Sequence, residues 1–293
     1  MRRRRPPQAS PPPQAQPLAA HSSLAAHPVV ASEQQRGLYA SRGYIVVAGL
    51  ISHDELVGLS RNIDSILDGN LRPSLPWRGN QPPEHFPLAW EPGKNDREDI
   101  PRRDRIRFIF GMARHDPFFR AFNRSSKLCG MMASLFESSG VQNLFGDQVF
   151  AKPPNGVEAA MHQDTAFWPR TVPNAMNLWV AIDPATIENG CLYVIPGSHR
   201  SELPHHDDPI QSHILDDSKV DMTQLQPIEM KPGDTLFMDS GLVHRSYTNR
   251  SAHRRRAIGC VFGSSDMKLV GECWRSEPYL ERQADFEPIE CNA

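Results

Sequence analysis

Residues 161–169 read MHQDTAFWP, and on an extended backbone the two-residue spacing of His162 and Asp164 sends both side chains to one face. Further along, residues 241–247 read GLVHRSY and place His244 after a strand-like run. A jelly roll is an all-β architecture that lays such distant strands side by side. The surrounding sequence has the matching texture: from Val141 onward, short β-rich runs are broken by Pro-Pro, Asn-Gly and Pro-Gly, which are turn signals. The expected strands are 147–152, 158–163, 175–183, 191–195, 226–230, 235–239, 243–248 and 254–263. Asn189-Gly190 marks a hairpin turn, and Gly233 a tight entry into Asp234-Thr235-Leu236-Phe237.

Two imidazoles and one carboxylate on one face of a metal leave coordination positions open. Non-haem Fe(II) oxygenases use that arrangement, whereas zinc sites take four closed or nearly closed ligands. An H-x-D spacing alone is weak, since many such pairs are solvated loop or core residues; its neighbours give it weight. Arg255 lies eleven residues past His244 within HRRRAIGCVF, residues 253–262. If 243–248 and 254–263 pair antiparallel with His244 opposite Ala257, Ser246 falls opposite Arg255 on the same face. A guanidinium and a hydroxyl there satisfy the far carboxylate of a dicarboxylate that chelates iron through its keto-acid end. Arg254 and Arg256 are then expected on the other face or in solvent.

Working outward, residues 1–32 form an Arg- and Pro-rich extension with little to bury, 33–270 a single oxygenase-sized domain, and 271–293 a C-terminal tail. Gly43–Val47 reads as a strand. Ser52-His53-Asp54-Glu55 has capping-box spacing ahead of Leu56, Leu59, Ile63, Ile66 and Leu67, a helical period with Ile51 as staple. After a Pro- and charge-rich loop over 72–104, Ile106–Phe110 alternates as a strand, and Asp116-Pro117 caps a helical stretch through about Glu137. The polar PHHDD at 204–208 is expected as a solvated loop or pocket lid rather than a second metal site. The Asn-x-Ser triplets at Asn123 and Asn249 carry no expected role.

With 32 basic against 34 acidic residues and 39% hydrophobic content, the chain is globular and has no global field to recruit nucleic acid or an anionic membrane. No apolar run approaches the roughly 18 residues that span a bilayer, and no apolar signal core follows Arg2–Arg5. Five widely spaced cysteines without a C-x-x-C pair indicate neither a disulfide framework nor a zinc ribbon. A soluble cytoplasmic protein is expected, a monomer or homodimer with a small-molecule substrate.

These residues resemble the phytanoyl-CoA dioxygenase family of Fe(II)/2-oxoglutarate-dependent oxygenases from about Gly43 to Gly263. The resemblance is carried by HQD at 162–164, by NLWVAIDPATIENGCLYVIPGSH at 177–199 and by GDTLFMDSGLVHRSYTNRS at 233–251 with RRA at 255–257. It implies a mainly β fold with flanking α, a double-stranded β-helix (jelly roll, cupin-like) core with N-terminal helices. His162, Asp164 and His244 are implied iron ligands, with Arg255 and Ser246 on the distal carboxylate of 2-oxoglutarate. Gln163, Trp179 and Asn177 are implied near the co-substrate. Arg107 stands where some members place a co-substrate lysine, and Asp147 or Gln148 where some use a methionine. Phe167 and Trp168 can wall a substrate pocket. Lys152 either faces inward with Phe150 and Gln148 or ends its strand in solvent.

The implied activity is a dioxygenase that consumes Fe(II)-bound 2-oxoglutarate and dioxygen (O2), releases succinate and CO2, and hydroxylates an unactivated C–H bond of a small molecule, possible natural-product chemistry included. Asp164 argues against halogenation, because halogenating relatives replace that carboxylate. Desaturation, epimerisation or cyclisation uses the same ligands, and acyl-CoA hydroxylation would call on basic residues such as Arg200 and the 72–104 loop at the pocket mouth. A catalytically silent jelly-roll binding protein is the non-enzyme alternative. A zinc-type hydrolase lacks a visible fourth ligand or general base.

Overall fold

A computed structural model describes residues 29–76, 81–167, 175–209, 211–267 and 288–290. Trp168 and most of the 271–293 tail lie outside the described residues. At the N-terminal end Ala31 is buried, and Ser32 forms a capping box with Gln35 at the start of helix α1 (Glu33–Arg42). Gly43, left-handed at φ 80°, ends α1 and turns the chain into β1 (Tyr44–Val47). The expected capping box is present at α2 (His53–Leu67): Ser52 accepts from the Glu55 amide and the Glu55 side chain accepts from the Ser52 amide. Leu59, Ile63, Ile66 and Leu67 form the buried stripe. Ser52→Ala should therefore lower the unfolding free energy by about 1 kcal/mol, read as a drop in denaturant midpoint at unchanged m-value.

Next come β2 (Leu88–Trp90), α3 (Arg102–Arg105), β3 (Ile106–Phe110) and the short α4 (Met112–His115). The stretch expected as one helix through about Glu137 is two, α5 (Pro117–Asn123) and α6 (Ser126–Phe136). Asp116 caps α5 through the amides of Phe118 and Phe119. The break at Arg124–Ser125 brings Phe119 and Phe122 of one helix and Leu128 and Met131 of the other into the same apolar cluster.

The remaining strands are β4 (Gly140–Phe150), β5 (Ala159–His162), β6 (Met176–Ala181), β7 (Leu192–Val194), β8 (His205–Asp208), β9 (Ser212–Leu215), β10 (Gln226–Ile228), β11 (Thr235–Asp239), β12 (His244–Ser246), β13 (Ala257–Ser264) and β14 (Pro288–Glu290). The large antiparallel sheet runs β1-β11-β6-β13-β4-β3-β2, with β14 also on β4. A smaller sheet runs β10-β7-β12-β5. Together they form the jelly roll.

Alternation along β6 shows how the layers assemble. Met176, Leu178 and Val180 join the cluster shared with α2, α5 and α6, while Trp179 and Ala181 join the cluster between the sheets with Val194 and Met238. Both faces of β6 are covered, so all six residues are buried, as expected for a central strand packed on both sides.

Two expectations are corrected. PHHDD is not an unstructured connection: His205–Asp208 pairs with Ser212–Leu215 as a β-ribbon, and the wholly polar first strand carries no hydrophobic alternation to announce it. The strands around His244 and Ala257 are not ladder neighbours either. β12 pairs with β5 and β7, and β13 with β4 and β6 in the other sheet. Buried Asn249 holds the corner between them, donating from Nδ2 to the carbonyls of Lys152 and His253 and accepting from the Ser251 amide. That corner carries the chain from one sheet to the other instead of closing a hairpin.

Candidate active site

β5 and β12 place His162 directly opposite His244, with ring centroids 4.2 Å apart. Asp164 opens a one-turn 3-10 segment just after β5. Gln163 is still extended, so His162 and Asp164 keep a common face. The Asp164 Oδ1 lies 3.3 Å from His162 Nε2 and 3.9 Å from His244 Nε2. One ligand atom from each residue falls within 4.8 Å of the others, and among the described residues no fourth His, Cys, Asp or Glu joins them.

The remaining polar atoms of the triad are held by the protein. His162 Nδ1 lies 2.6 Å from the Ala160 carbonyl and His244 Nδ1 2.9 Å from that of Leu242. Only a protonated Nδ1 can donate there, which leaves the Nε2 lone pairs free for a metal. Asn177 Nδ2 donates to Asp164 Oδ2, so Asn177 orients the carboxylate of the triad at the cavity wall. Burial raises the Asp164 pKa, but the two histidines and Asn177 outweigh it and the net shift is downward. Burial and the neighbouring His162 push His244 down to about 4. His162 is raised, because the adjacent Asp164 charge outweighs its burial. An ionised carboxylate and a neutral imidazole suit a divalent cation, whose charge would replace the proton that Asp164 favours on His162. Asn177→Ala should weaken metal affinity roughly 10–100-fold, read by equilibrium titration, while the fold persists.

The triad shares a cavity of about 610 Å3 with Arg255, Ser246, Lys152, Trp179, Arg107, Gln148 and Phe167. Arg255 is 2% exposed and precedes β13, so it enters from the large sheet rather than from a ladder shared with Ser246. Its amide donates to the Lys152 carbonyl at 3.0 Å, its Nη2 to the Gly190 carbonyl at 3.0 Å, and its guanidinium lies 5.2 Å from the centre of the Trp179 ring. The Arg255 Nε and Nη1 are buried without a partner. Burial lowers the Arg255 pKa to about 10, so it remains a cation. Lys152 faces inward and donates to Ser246 Oγ at 2.8 Å. Gly190, with φ 78°, sits in the Asn189-Gly190 turn, where a Cβ would overlap the Tyr247 carbonyl oxygen and crowd Lys152.

Other expected residues lie elsewhere. Gln163 points away from the cavity: its Nε2 donates to the carbonyls of Ser201 and Gly241, and its Oε1 accepts from the Leu203 amide. As the middle residue of H-x-D, it must face opposite His162 and Asp164. Arg254 pairs with Asp104 and Asp64, and Arg256 with Asp183 and Asp64, so both serve the opposite face. Arg200 donates to the Ala40 and Ser41 carbonyls at the end of α1 and is absent from the cavity lining. Arg107 lines the cavity, donates to the Glu158 carbonyl and lies over the Phe108 ring.

Several cavity residues escaped the sequence reading: Phe108 and Phe110, whose alternation in β3 was the available signal, and Gln211 and His213 from the polar ribbon. Gln211 Oε1 accepts from the Ala160 amide. The Phe167 ring stands edge-on to both His162 and His213, at 5.5 Å from each.

The model of the phytanoyl-CoA dioxygenase family matches residues 39–257. The chain belongs to the phytanoyl-CoA dioxygenase family. It is 27% identical to a phytanoyl-CoA dioxygenase of Arabidopsis thaliana over 87% of this chain and 95% of that one. It is 25% identical to phytanoyl-CoA dioxygenase domain-containing protein 1 of Mus musculus, over 88% and 98%. Among solved structures it resembles EvdO2 from Micromonospora carbonacea var. aurantiaca complexed with 2-oxoglutarate, at 26% identity and TM-score 0.55, covering 87% of this chain and all of that one. EctD from S. alaskensis with bound Fe, at 21% identity and TM-score 0.65 over 86% and 83%, shares the fold. This member of the phytanoyl-CoA dioxygenase family is an iron- and 2-oxoglutarate-dependent dioxygenase. Among its described residues no helix is long and apolar enough to cross a membrane.

Proposed function

We propose that His162, Asp164 and His244 hold Fe(II), that Arg255 and Ser246 bind the distal carboxylate of 2-oxoglutarate, and that the enzyme hydroxylates a C–H bond of a small molecule. The observation that carries this reading is the pairing, in one cavity, of a three-donor cluster with a buried arginine whose Nε and Nη1 lack partners. A dicarboxylate supplies what that arginine lacks. Bound iron with 2-oxoglutarate supplies dioxygen activation, coupled to decarboxylation to succinate and CO2.

The chain's own residues do the rest. The Ala160 and Leu242 carbonyls fix the imidazole tautomers, and Asn177 fixes the carboxylate. Trp179, packed between the sheets, backs the Arg255 guanidinium. Phe108, Phe110, Phe150 and Phe167 line the cavity, exclude water and favour a compact, partly apolar substrate. Arg107 and Gln148 add polar contacts, and Arg200 is held at α1, which weakens the case for an acyl-CoA carrier. We assign the substrate to secondary metabolism and the protein, as a monomer or homodimer, to the cytoplasm, without nucleic-acid or membrane partners. Turnover of candidate substrates under 18O2 tests the reaction type: hydroxylation puts one labelled oxygen in the product. An unlabelled product with a new double bond, ring or inverted centre would overturn it in favour of another outcome at the same iron.

A further inference from the structure

Three consecutive carbonyls serve both arms of the metal cluster. The Ser240 carbonyl accepts from the Thr165 amide at 3.1 Å, the Gly241 carbonyl accepts from Gln163 Nε2, and the Leu242 carbonyl lies 2.9 Å from His244 Nδ1. Asp164 is therefore gripped on both sides, at 163 and at 165, by the same short segment that fixes the tautomer of His244. The segment is itself held from behind. The Ser240 and Leu242 amides donate to the Ala175 and Asp239 carbonyls, the Gly241 amide to Asp239 Oδ1 and the Val243 amide to Ser198 Oγ. A Cβ on Gly241 would lie 3.1 Å from both Asp239 Oδ1 and the His199 carbonyl oxygen, so this backbone has little room to drift.

Gln163 supplies the side-chain part of the grip. It is 1% exposed and does not line the cavity. Its Nε2 also donates to the Ser201 carbonyl at 2.8 Å, and its Oε1 accepts from the Leu203 amide at 2.9 Å. Two carbonyls and one amide donor fit a single orientation of the side-chain amide, with both of its N–H groups spent. We propose that Gln163 is a positioning residue for the metal: it locks the Asp164 arm to the His244 arm, so that the three donors keep their spacing before an ion arrives. The inference rests on the reading of His162, Asp164 and His244 as metal ligands. The ladder between β5 and β12 is short and shifts register between His244 and Ser246, which leaves the spacing of the two arms to the bonds beyond it. A cluster held ready loses less freedom when the ion binds.

Titration with Co(II), an ion that imidazole and carboxylate ligands also bind and whose visible d–d bands report its surroundings, tests this without turnover. The wild type should saturate at one equivalent. Gln163→Met keeps the length and the burial but donates nothing, so half-saturation should need roughly 10–100-fold more Co(II), and the bands at saturation should shift. The 2-oxoglutarate affinity of the Co(II)-saturated variant, read by calorimetry, should stay at the wild-type value. A Gln163 that instead met the co-substrate would give the reverse, with Co(II) affinity kept and 2-oxoglutarate weakened. That result, or unchanged Co(II) affinity and bands in a variant whose melting temperature has dropped, overturns the proposal and leaves the oxygenase reading standing. Should Gln163→Met not fold, Ser198→Ala loosens the same segment from its far side by removing the acceptor of the Val243 amide. It should weaken Co(II) binding by a smaller factor, and unchanged affinity there overturns the proposal equally. A wild type that binds no Co(II) overturns the metal reading as well.

Discussion

Asp164→Ala is expected to abolish turnover and to weaken iron binding beyond the roughly 10–100-fold that loss of an outer hydrogen-bond partner brings. The carboxylate is the only anionic donor in the cluster. Without it two neutral imidazoles remain, one of them, His244, with its proton affinity already depressed to about 4 by burial and by its neighbour. The same substitution removes the acceptor of Asn177 Nδ2, yet no apolar contact of the core is lost, so the variant should keep its circular dichroism spectrum. Metal stoichiometry by equilibrium dialysis and succinate release together check the prediction; a variant that binds iron and turns over at the wild-type level would remove Asp164 from the site.

Arg255→Gln should act at the other end of the cavity. Iron binding persists, because Arg255 touches none of the three ligands. Affinity for 2-oxoglutarate should fall by about 2–5 kcal/mol, the usual cost of truncating one partner of a buried hydrogen-bonded charge pair, which is roughly 30-fold or more. The KM for 2-oxoglutarate rises accordingly, with less effect on kcat at saturation. Because the guanidinium is buried without an ion pair, its loss should leave the melting temperature of the ligand-free protein unchanged or raised. That split between ligand affinity and stability separates a binding role from a structural one.

Local chemistry was legible in the sequence wherever a short-range rule governed it. The Ser52–Glu55 capping box, the one-face spacing of His162 and Asp164, and the strand carrying His244 all follow from helix-cap or pleat geometry. Strand partnership was not legible. Proximity along the chain suggested that the strands of His244 and Ala257 form a hairpin, but Tyr247–Arg254 has no two-residue turn signal, and Asn249 bonds to the Lys152 and His253 carbonyls instead. Asn249 of the Asn-x-Ser tripeptide is fully buried and holds the corner.

The same contrast runs through the site. Alternation alone predicts that Gln163 faces away from His162 and Asp164, and it does; family resemblance pulled the expectation the other way. Alternation also predicts that Gln148, Phe150 and Lys152 share a face, and all three line the cavity. The β8–β9 ribbon was invisible because β8 (His205–Asp208) is wholly polar and partly exposed, which leaves no apolar period to read there.

Iron at the three-donor cluster and 2-oxoglutarate on Arg255 and Ser246 would together form one chelate. Anaerobic titration of the purified protein with Fe(II) and 2-oxoglutarate tests this most directly, through the weak visible charge-transfer band of the metal–keto-acid chelate. The expected band saturates at one equivalent of each ligand in the wild type and is absent in His162→Ala. No band in the wild type, or an unchanged band in His162→Ala, would contradict it.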